Sequence, residues 1–191
     1  WIHWSKFEGG NASVSCAVAA DSKHRYQALT FERLNSNSPN QTRELRTHAH
    51  DTRLGRANGT LSFALRFLAG VGPDACAVVE FWPTWGNTSM VALQFSTDAT
   101  HWDSLARFSP DGSFELFAGT QALNGPNKPL PQQFVNYSLS IPLEASAEAT
   151  QFRWVQHGEG GVAVAGWAID SVALRVIPTT DAEIEVHSLQ P

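Results

Sequence analysis

Alternation of apolar and polar residues is the feature that most constrains how this chain folds. In the segment 60–68 the apolar positions all fall on one face of an extended chain, and they are Leu61, Phe63, Leu65 and Phe67. Ser62, Ala64 and Arg66 share the opposite face. A period of two would scatter these side chains around a helix, so the segment predicts a strand with one buried face.

Further segments of strand-forming residues recur at short spacing, separated by clusters of Gly, Pro, Asn and Ser. They cover residues 26–31, 76–81, 90–96, 102–108, 113–118, 135–141, 151–156, 168–177 and, more weakly, 182–187. We interpret the polar stretch 34–56 and the Gly- and Pro-rich stretch 124–131 as loops at the ends of the fold, with a helical turn near 144–149. Many short strands without long helices predict an all-β fold, an antiparallel β-sandwich of jelly-roll type.

Length and charge bound the number of domains and the class of partner. The 191 residues suffice for one core, so we expect one domain over 1–177, with 178–191 as a last strand or a linker to a neighbouring module. A net charge of −5 with only three lysines gives no basic surface for nucleic acid. No apolar run approaches the ~20 residues that span a membrane, and the first residues do not form a signal peptide, as expected for a processed chain or a piece of a longer one.

Five N-glycosylation sequons point to an extracellular protein. Their asparagines are Asn11, Asn40, Asn58, Asn87 and Asn136. In an oxidising compartment Cys16 and Cys76 are expected to pair, and closing a loop of about 60 residues would stabilise the fold by roughly 4 kcal/mol. The alternative is a pair of buried free thiols in a cytosolic protein.

The segment 96–102 is similar to an Asp-box, a turn between two strands found in sialidase-type propellers and other extracellular β-folds. Asp98 would accept backbone N–H groups, with Ser96 beside it and Trp102 packed beneath the turn. The glycine usual in that motif is replaced by Ala99 or Thr100. A propeller needs several copies and this chain has one, so we interpret Asp98 as structural and not catalytic.

Asp170 is the candidate metal ligand. Alternation along 167–176 places it on the same face as Val172 and Leu174, and a buried carboxylate needs a cation or hydrogen bonds. Calcium takes oxygen ligands, and Glu8 would supply a second carboxylate if the first and last strands are neighbours. The alternative is an aspartate bonded to backbone amides.

Two further sets of residues have weaker patterns. His48 and His50 have a spacing that can hold zinc, but no third ligand lies at motif distance, and a solvated polar strand is the simpler interpretation. Trp82 and Trp85, beside the Asn87 sequon, form a possible sugar platform, although they could equally cap the sandwich.

The ordered set of motifs resembles subrepeats of reelin-type repeats. The segments that carry the resemblance are 7–11, Cys16, 26–31, 61–68, Cys76, 91–102, 152–156 and 167–172. This resemblance implies a jelly-roll sandwich, a Cys16–Cys76 disulfide, an Asp-box-like turn and structural calcium at Asp170 and Glu8. It also implies a secreted modular glycoprotein that binds without catalysis.

We therefore expect a non-enzymatic extracellular interaction or structural module, of adhesion or matrix type, in a secreted or cell-surface glycoprotein. Its partner would be a protein or a glycan, and neighbouring modules are expected. The alternative is a carbohydrate-binding, lectin-like jelly-roll module that uses Trp82 or Trp85. A sialidase-type glycosidase is a remote alternative, because it needs paired carboxylates in a cleft and an arginine cluster, which the sequence does not show.

Overall fold

The protein is described by a computed structural model that covers residues 4–8, 12–18, 25–31, 41–53, 59–68, 90–117, 119–124, 134–158 and 164–176. Within these residues the chain forms strands and one 3-10 helix over Leu143–Ala145. The strands are β1 Trp4–Glu8, β2 Ala12–Val18, β3 Arg25–Phe31, β4 Gln41–Thr47, β5 Thr60–Leu68, β6 Val91–Ser96, β7 Asp103–Phe108, β8 Phe114–Leu116, β9 Ala122–Asn124, β10 Val135–Ser140, β11 Gln151–Gly158 and β12 Gly166–Arg175. None of the described helical residues forms a segment long and apolar enough to span a membrane.

The strands form two six-stranded sheets. Sheet A has the order β1-β4-β11-β6-β7-β8, and sheet B has the order β2-β3-β12-β5-β10-β9. Every pairing between neighbours is antiparallel. The last two strands of the described residues lie inside the two sheets, β11 between β4 and β6 in sheet A and β12 between β3 and β5 in sheet B. The predicted antiparallel jelly-roll sandwich is confirmed.

Most of the strands predicted from alternation are present with ends within a few residues, and β5 has the predicted bounds. The interpretation of 34–56 as a loop was wrong, because this stretch contains β4, an inner strand of sheet A. Arg43 and Thr47 occupy inward positions on β4 together with Leu45, so the apolar signal of a half-buried strand is missing. Strands β1, β2 and β9 were also missed, and the candidates 76–81 and 182–187 lie outside the described residues.

An aromatic cluster joins the two sheets. The ring of Phe63 on β5 lies 5.3 Å from that of Trp154 on β11 and 5.5 Å from that of Phe108 on β7, both edge-to-face. Tyr137 on β10 stacks on Phe63 at 5.5 Å and contacts Phe108 at 4.6 Å. At the other end, Trp167 stacks on another buried ring at 4.4 Å. Aromatic pairs of this geometry stabilise a fold beyond the free energy gained from burying their surface. Because the rings come from both sheets, their contacts fix which face of each sheet is internal.

A charged side chain is also buried inside the sandwich. Arg43 on β4 is only 1% exposed, and its Cα pairs with that of Gln156 on β11. Its guanidinium donates to the Gln156 side-chain carbonyl and to the backbone carbonyl of Ala165, the latter at 2.8 Å. The Gln156 amide donates to the same Ala165 oxygen at 3.2 Å. Burial lowers the pKa of Arg43 to about 10, so the group stays charged at neutral pH and depends on these acceptors.

Alkaline pH should destabilise the fold through Tyr137. Burial raises the pKa of Tyr137 to about 12, whereas the phenol of the unfolded chain ionises near 10. Between these values the unfolded state loses a proton that the native state keeps, so the free energy of unfolding decreases as the pH rises, by roughly 3 kcal/mol in total. Urea unfolding from pH 8 to 12 measures the decrease. Tyr137→Phe should remove this part of the slope, and an unchanged slope would contradict the assignment.

Candidate functional site

The turn between β6 and β7 is organised around the Asp98 carboxylate. Its Oδ1 accepts the backbone N–H of Thr100 and of His101, each at 2.8 Å, and the Ser96 hydroxyl at 3.0 Å. The Asp98 N–H donates back to Ser96 Oγ at 3.3 Å. Ala99 has φ +61°, the left-handed conformation that glycine favours. Asp98 and Ser96 therefore hold a turn of Asp-box type, with alanine in the position that needs positive φ.

Charge reinforces this turn. His101 Nδ1 lies 2.6 Å from Asp98 Oδ2, and both side chains are exposed to solvent. The side-chain and backbone hydrogen bonds from His101, together with the Thr100 N–H, hold the pKa of Asp98 well below its usual range. The hydrogen bond to Asp98 and its negative charge raise the pKa of His101. Asp98 is thus ionised over the whole neutral range, and its carboxylate serves to hold the backbone of the turn.

The turn places Trp102 over two arginines on the outer face of sheet A. The Arg153 guanidinium carbon lies 4.1 Å from the centre of the Trp102 ring, and that of Arg46 lies 4.7 Å from it. Arg153 and Arg46 are cross-strand partners on β11 and β4. Cation–π contacts at these distances are favourable, and Trp102 is half-buried by them. The indole therefore connects the β6–β7 turn to strands on the far side of β6.

Polar side chains hold both arginines in place. Glu44, which is 7% exposed, accepts Arg46 Nε at 2.9 Å and Nη2 at 2.7 Å, and it accepts Arg153 Nη1 at 3.2 Å. Arg153 Nε also donates to Gln94 Oε1 at 2.7 Å. Burial lowers the pKa of Arg153, and the charge of Glu44 opposes this effect. We call Glu44, Arg46, Gln94, Trp102 and Arg153 the Trp102 cluster.

Sequence analysis found only part of the Trp102 cluster. Ser96, Asp98 and Trp102 were predicted from their motif, whereas Glu44, Arg46, Gln94 and Arg153 were not. Glu44 and Arg46 fall in the stretch that was interpreted as a loop. Their alternation with Arg43, Leu45 and Thr47 was the signal that could have placed them on one face of a strand.

The predicted orientation of Asp170 was wrong. Asp170 pairs with Ala64 and Ala173 pairs with Ser62, so two residues of β12 oppose one residue of β5 in a β-bulge. Ser171, with φ +53°, is the first bulged residue. The bulge shifts the alternation, so that Ile169 and Val172 both contact the core and Asp170 lies on the other face. Asp170 is half-buried there and Oδ1 accepts the Ser171 N–H at 2.6 Å, as in the alternative interpretation.

The strand neighbours expected to bring Glu8 to Asp170 are not found. β1, which contains Glu8, is a strand of sheet A and pairs with β4, where Glu8 is opposite Glu44. β12, which contains Asp170, is in sheet B between β3 and β5. The Glu8 side chain lies outside the described residues, and Asp170 alone supplies few of the six to eight oxygens that calcium takes. A calcium site stays a prediction.

The structure describes few of the other predicted site residues. Cys16 is on β2, but Cys76 is outside the described residues, and so are Trp82, Trp85 and four sequon asparagines, Asn11, Asn40, Asn58 and Asn87. Asn136 is exposed on β10. His48 is exposed and His50 is half-buried, with its backbone paired to Thr150. In the part of the chain that is described, no three His, Cys, Asp or Glu side chains are grouped as a metal site requires.

Comparison with known families decides the identity of the module. The family model for reelin subrepeat B matches residues 9–175, which is most of the chain. This chain belongs to the reelin subrepeat B family. Reelin repeats are extracellular domains, so the chain is an extracellular domain. The resemblance inferred from the ordered motifs is confirmed.

Comparison with other proteins adds only context. No curated protein matches the chain. One similar solved structure is described as the structural basis for the promiscuous specificity of carbohydrate-binding modules from the β-sandwich superfamily. It is 10% identical, has a TM-score of 0.43 and is matched over 88% of this chain. The chain spans 56% of the length of that structure.

Replacing Ala99 by glycine should stabilise the reelin subrepeat. An L-residue at φ +61° is strained by roughly 1 kcal/mol, which glycine relieves. Thermal unfolding of Ala99→Gly should therefore show a higher Tm. The matched control is Ala92→Gly in the extended strand β6, which should lower the Tm because glycine weakens strands. A lower Tm for Ala99→Gly would show that the turn has another conformation.

Proposed function

We propose that this chain is a non-catalytic contact module of a secreted or cell-surface glycoprotein, and that the surface around Trp102 binds a protein partner. The observation that carries the proposal is the stacking of Trp102 on Arg153 and Arg46, which are ion-paired to Glu44. Trp and Arg are the side chains enriched where protein interfaces gain most of their energy.

The electrostatics of the site support binding without catalysis. Glu44 accepts hydrogen bonds from two arginines, and Asp98 accepts them from three groups of its own turn through Oδ1. The pKa of Asp98 is held low, which is opposite to the raised pKa that a general acid of a glycosidase needs at neutral pH. Arg46 and Arg153 form an arginine pair, but they are stacked under an indole and bonded to Glu44 and Gln94. The side chains of the Trp102 cluster therefore fix one another in place and form a rigid surface.

Charge indicates what kind of protein partner fits. The Trp102 cluster contains two guanidinium groups and one carboxylate, whereas the whole chain has a net charge of −5. The outer face of sheet A is therefore locally cationic on an acidic protein. A partner surface with exposed carboxylates complements the net positive charge of this cluster.

Binding of labelled tetramers of the chain to cells and extracellular matrix tests this function. We expect saturable binding that is lost after protease treatment of the cells and kept after glycosidase treatment. Trp102→Ala should weaken it at least about tenfold, because truncating an anchor residue at an interface costs about 2 kcal/mol or more. Trp102→Phe keeps an aromatic ring over the arginines and should retain most of the binding.

Two assays on the same preparation separate the alternatives. Saturable binding on a glycan array that does not depend on Trp102 would replace the proposal with a lectin-like module. Turnover of a fluorogenic sialoside would overturn the non-catalytic assignment. Circular dichroism and the Tm of each variant show whether a loss of binding reflects a loss of fold.

We also propose that calcium at Asp170 and a Cys16–Cys76 disulfide stabilise the module, as the resemblance implies. A chelator should then lower the Tm of the chain, and Asp170→Asn should abolish the difference between calcium and chelator. Asp111→Asn is the matched control, since Asp111 also accepts a backbone amide, that of Ser113, in an exposed turn. If the Tm of the wild-type chain is the same in calcium and in chelator, the proposal of a structural calcium ion is contradicted.

A further inference from the structure

A loop beside the Trp102 cluster carries the opposite charge and an exposed apolar side chain. We propose that this loop, residues 142–150, contacts the Trp102 cluster of a second copy of the chain, and that two copies join in this way about a two-fold axis. We call these residues the Leu143 loop. The proposal rests on the function proposed for the Trp102 cluster, since it names one protein partner for that same surface.

The Leu143 loop is held in one conformation by buried hydrogen bonds. The Thr52 hydroxyl donates to the carbonyl of Ala145 at 2.6 Å, and the Thr150 hydroxyl donates to the same carbonyl at 2.8 Å. The Thr52 N–H also donates to the carbonyl of Ala147 at 2.8 Å. Thr52, Ala145 and Thr150 are fully buried. Because the loop is already ordered, a partner that binds it loses little free energy to ordering.

The loop holds an apolar side chain out in water. Leu143 is 76% exposed, and among the residues that the structure describes no other large apolar side chain is exposed to a similar degree. The Leu143 carbonyl accepts the Ser146 N–H at 2.9 Å, so the side chain starts from a fixed position in the 3-10 helix. A partner surface that covers this leucine gains the free energy of removing it from water.

Charges near Leu143 complement those of the Trp102 cluster. Glu144 and Glu148 are exposed on the loop, and Glu148 pairs with Arg53, which also pairs with Asp51. This surface therefore has three carboxylates and one guanidinium, whereas the Trp102 cluster has two guanidinium groups and one carboxylate. Opposite potentials of this kind attract and orient two protein surfaces.

The two surfaces lie at the same end of sheet A. β11 begins at Gln151, directly after the loop, and Arg153 of the Trp102 cluster follows two residues later. Gln151 is opposite Ser96, the last residue of β6 before the turn that leads to Trp102. A chain with neighbouring surfaces of opposite charge is self-complementary. A two-fold axis then places the loop of each copy on the cluster of the other, and the same contact forms twice.

Sedimentation velocity of the chain over a range of concentrations tests self-association. We expect a reversible equilibrium that stops at the dimer, because a two-fold contact uses both surfaces of each copy. Added salt should weaken the dimer, since exposed charges are screened. A chain that stays monomeric at about 1 mM, or one that forms steadily larger oligomers, would overturn the proposal.

Variants of each surface should have the same effect. Leu143→Asp and Trp102→Ala should each raise the Kd of the dimer at least about tenfold. The matched control is Ala173→Asp, which adds a carboxylate at an exposed position on the outer face of sheet B, opposite Ser62, and should leave the Kd unchanged. The Tm of each variant shows whether a loss of association reflects a loss of fold.

Mixing the two variants tests whether these surfaces meet. In a mixed pair, Leu143 of the chain with Trp102→Ala lies on Trp102 of the chain with Leu143→Asp, so one of the two contacts is intact. In each variant alone both contacts are damaged. With one chain fluorescently labelled, the mixed pair should therefore associate more tightly than either variant with itself. No gain on mixing would contradict the contact.

The result is distinguishable from that of the cell-binding assay. A monomeric chain whose binding to cells still requires Trp102 would contradict the second copy as partner and leave the proposed function in place. A dimer without Trp102-dependent binding to cells would contradict a partner on cells and limit the cluster to self-association.

Discussion

The contact of Phe63 with Trp154 and Phe108 is the interaction on which the rest of the structure depends. It joins an inner strand of sheet B to two strands of sheet A through edge-to-face rings. Because strands alternate their side chains, fixing one inward residue on each strand also fixes which residues face solvent. The outward positions of Arg153 next to Trp154, and of Asn136 next to Tyr137, are direct results. Packing inside the sandwich thus determines what it presents outside.

The strands that could be predicted from sequence are those in which hydrophobicity alone shows which side chains face the core. β5 has apolar side chains at each inward position and was predicted with its bounds. β4 has Arg43 and Thr47 at inward positions, and this loss of apolar contrast concealed it. Asp170 was placed on the wrong face for a different reason: the bulge at Ser171 adds one residue, and no period of two continues through such an insertion.

The candidate site also has a part that could be predicted from sequence and a part that could not. The turn of Asp98 is local, so its motif contains all its partners within six residues, and the geometry could be anticipated. The remaining members of the Trp102 cluster come together through strand order. Arg153 contacts Gln94, which is 59 residues away, and Glu44, which is 109 residues away. Only the position of β11 between β4 and β6 makes them neighbours, and the hydrophobic pattern of a single sequence carries no information on strand order.

Arg43 and Gln156 have a consequence for how sheet A assembles. If β4 slipped by one residue along β11, its side chains would exchange faces, and the charged groups of Glu44 and Arg46 would both lie between the two sheets. If it slipped by two, the faces would be kept, but the guanidinium would lose the amide acceptor opposite it. An apolar pair at these two positions would tolerate the two-residue slip with little loss. The buried guanidinium therefore selects a single register between β4 and β11. The desolvation of the charge lowers the stability of the fold, but a wrong register would lower it more.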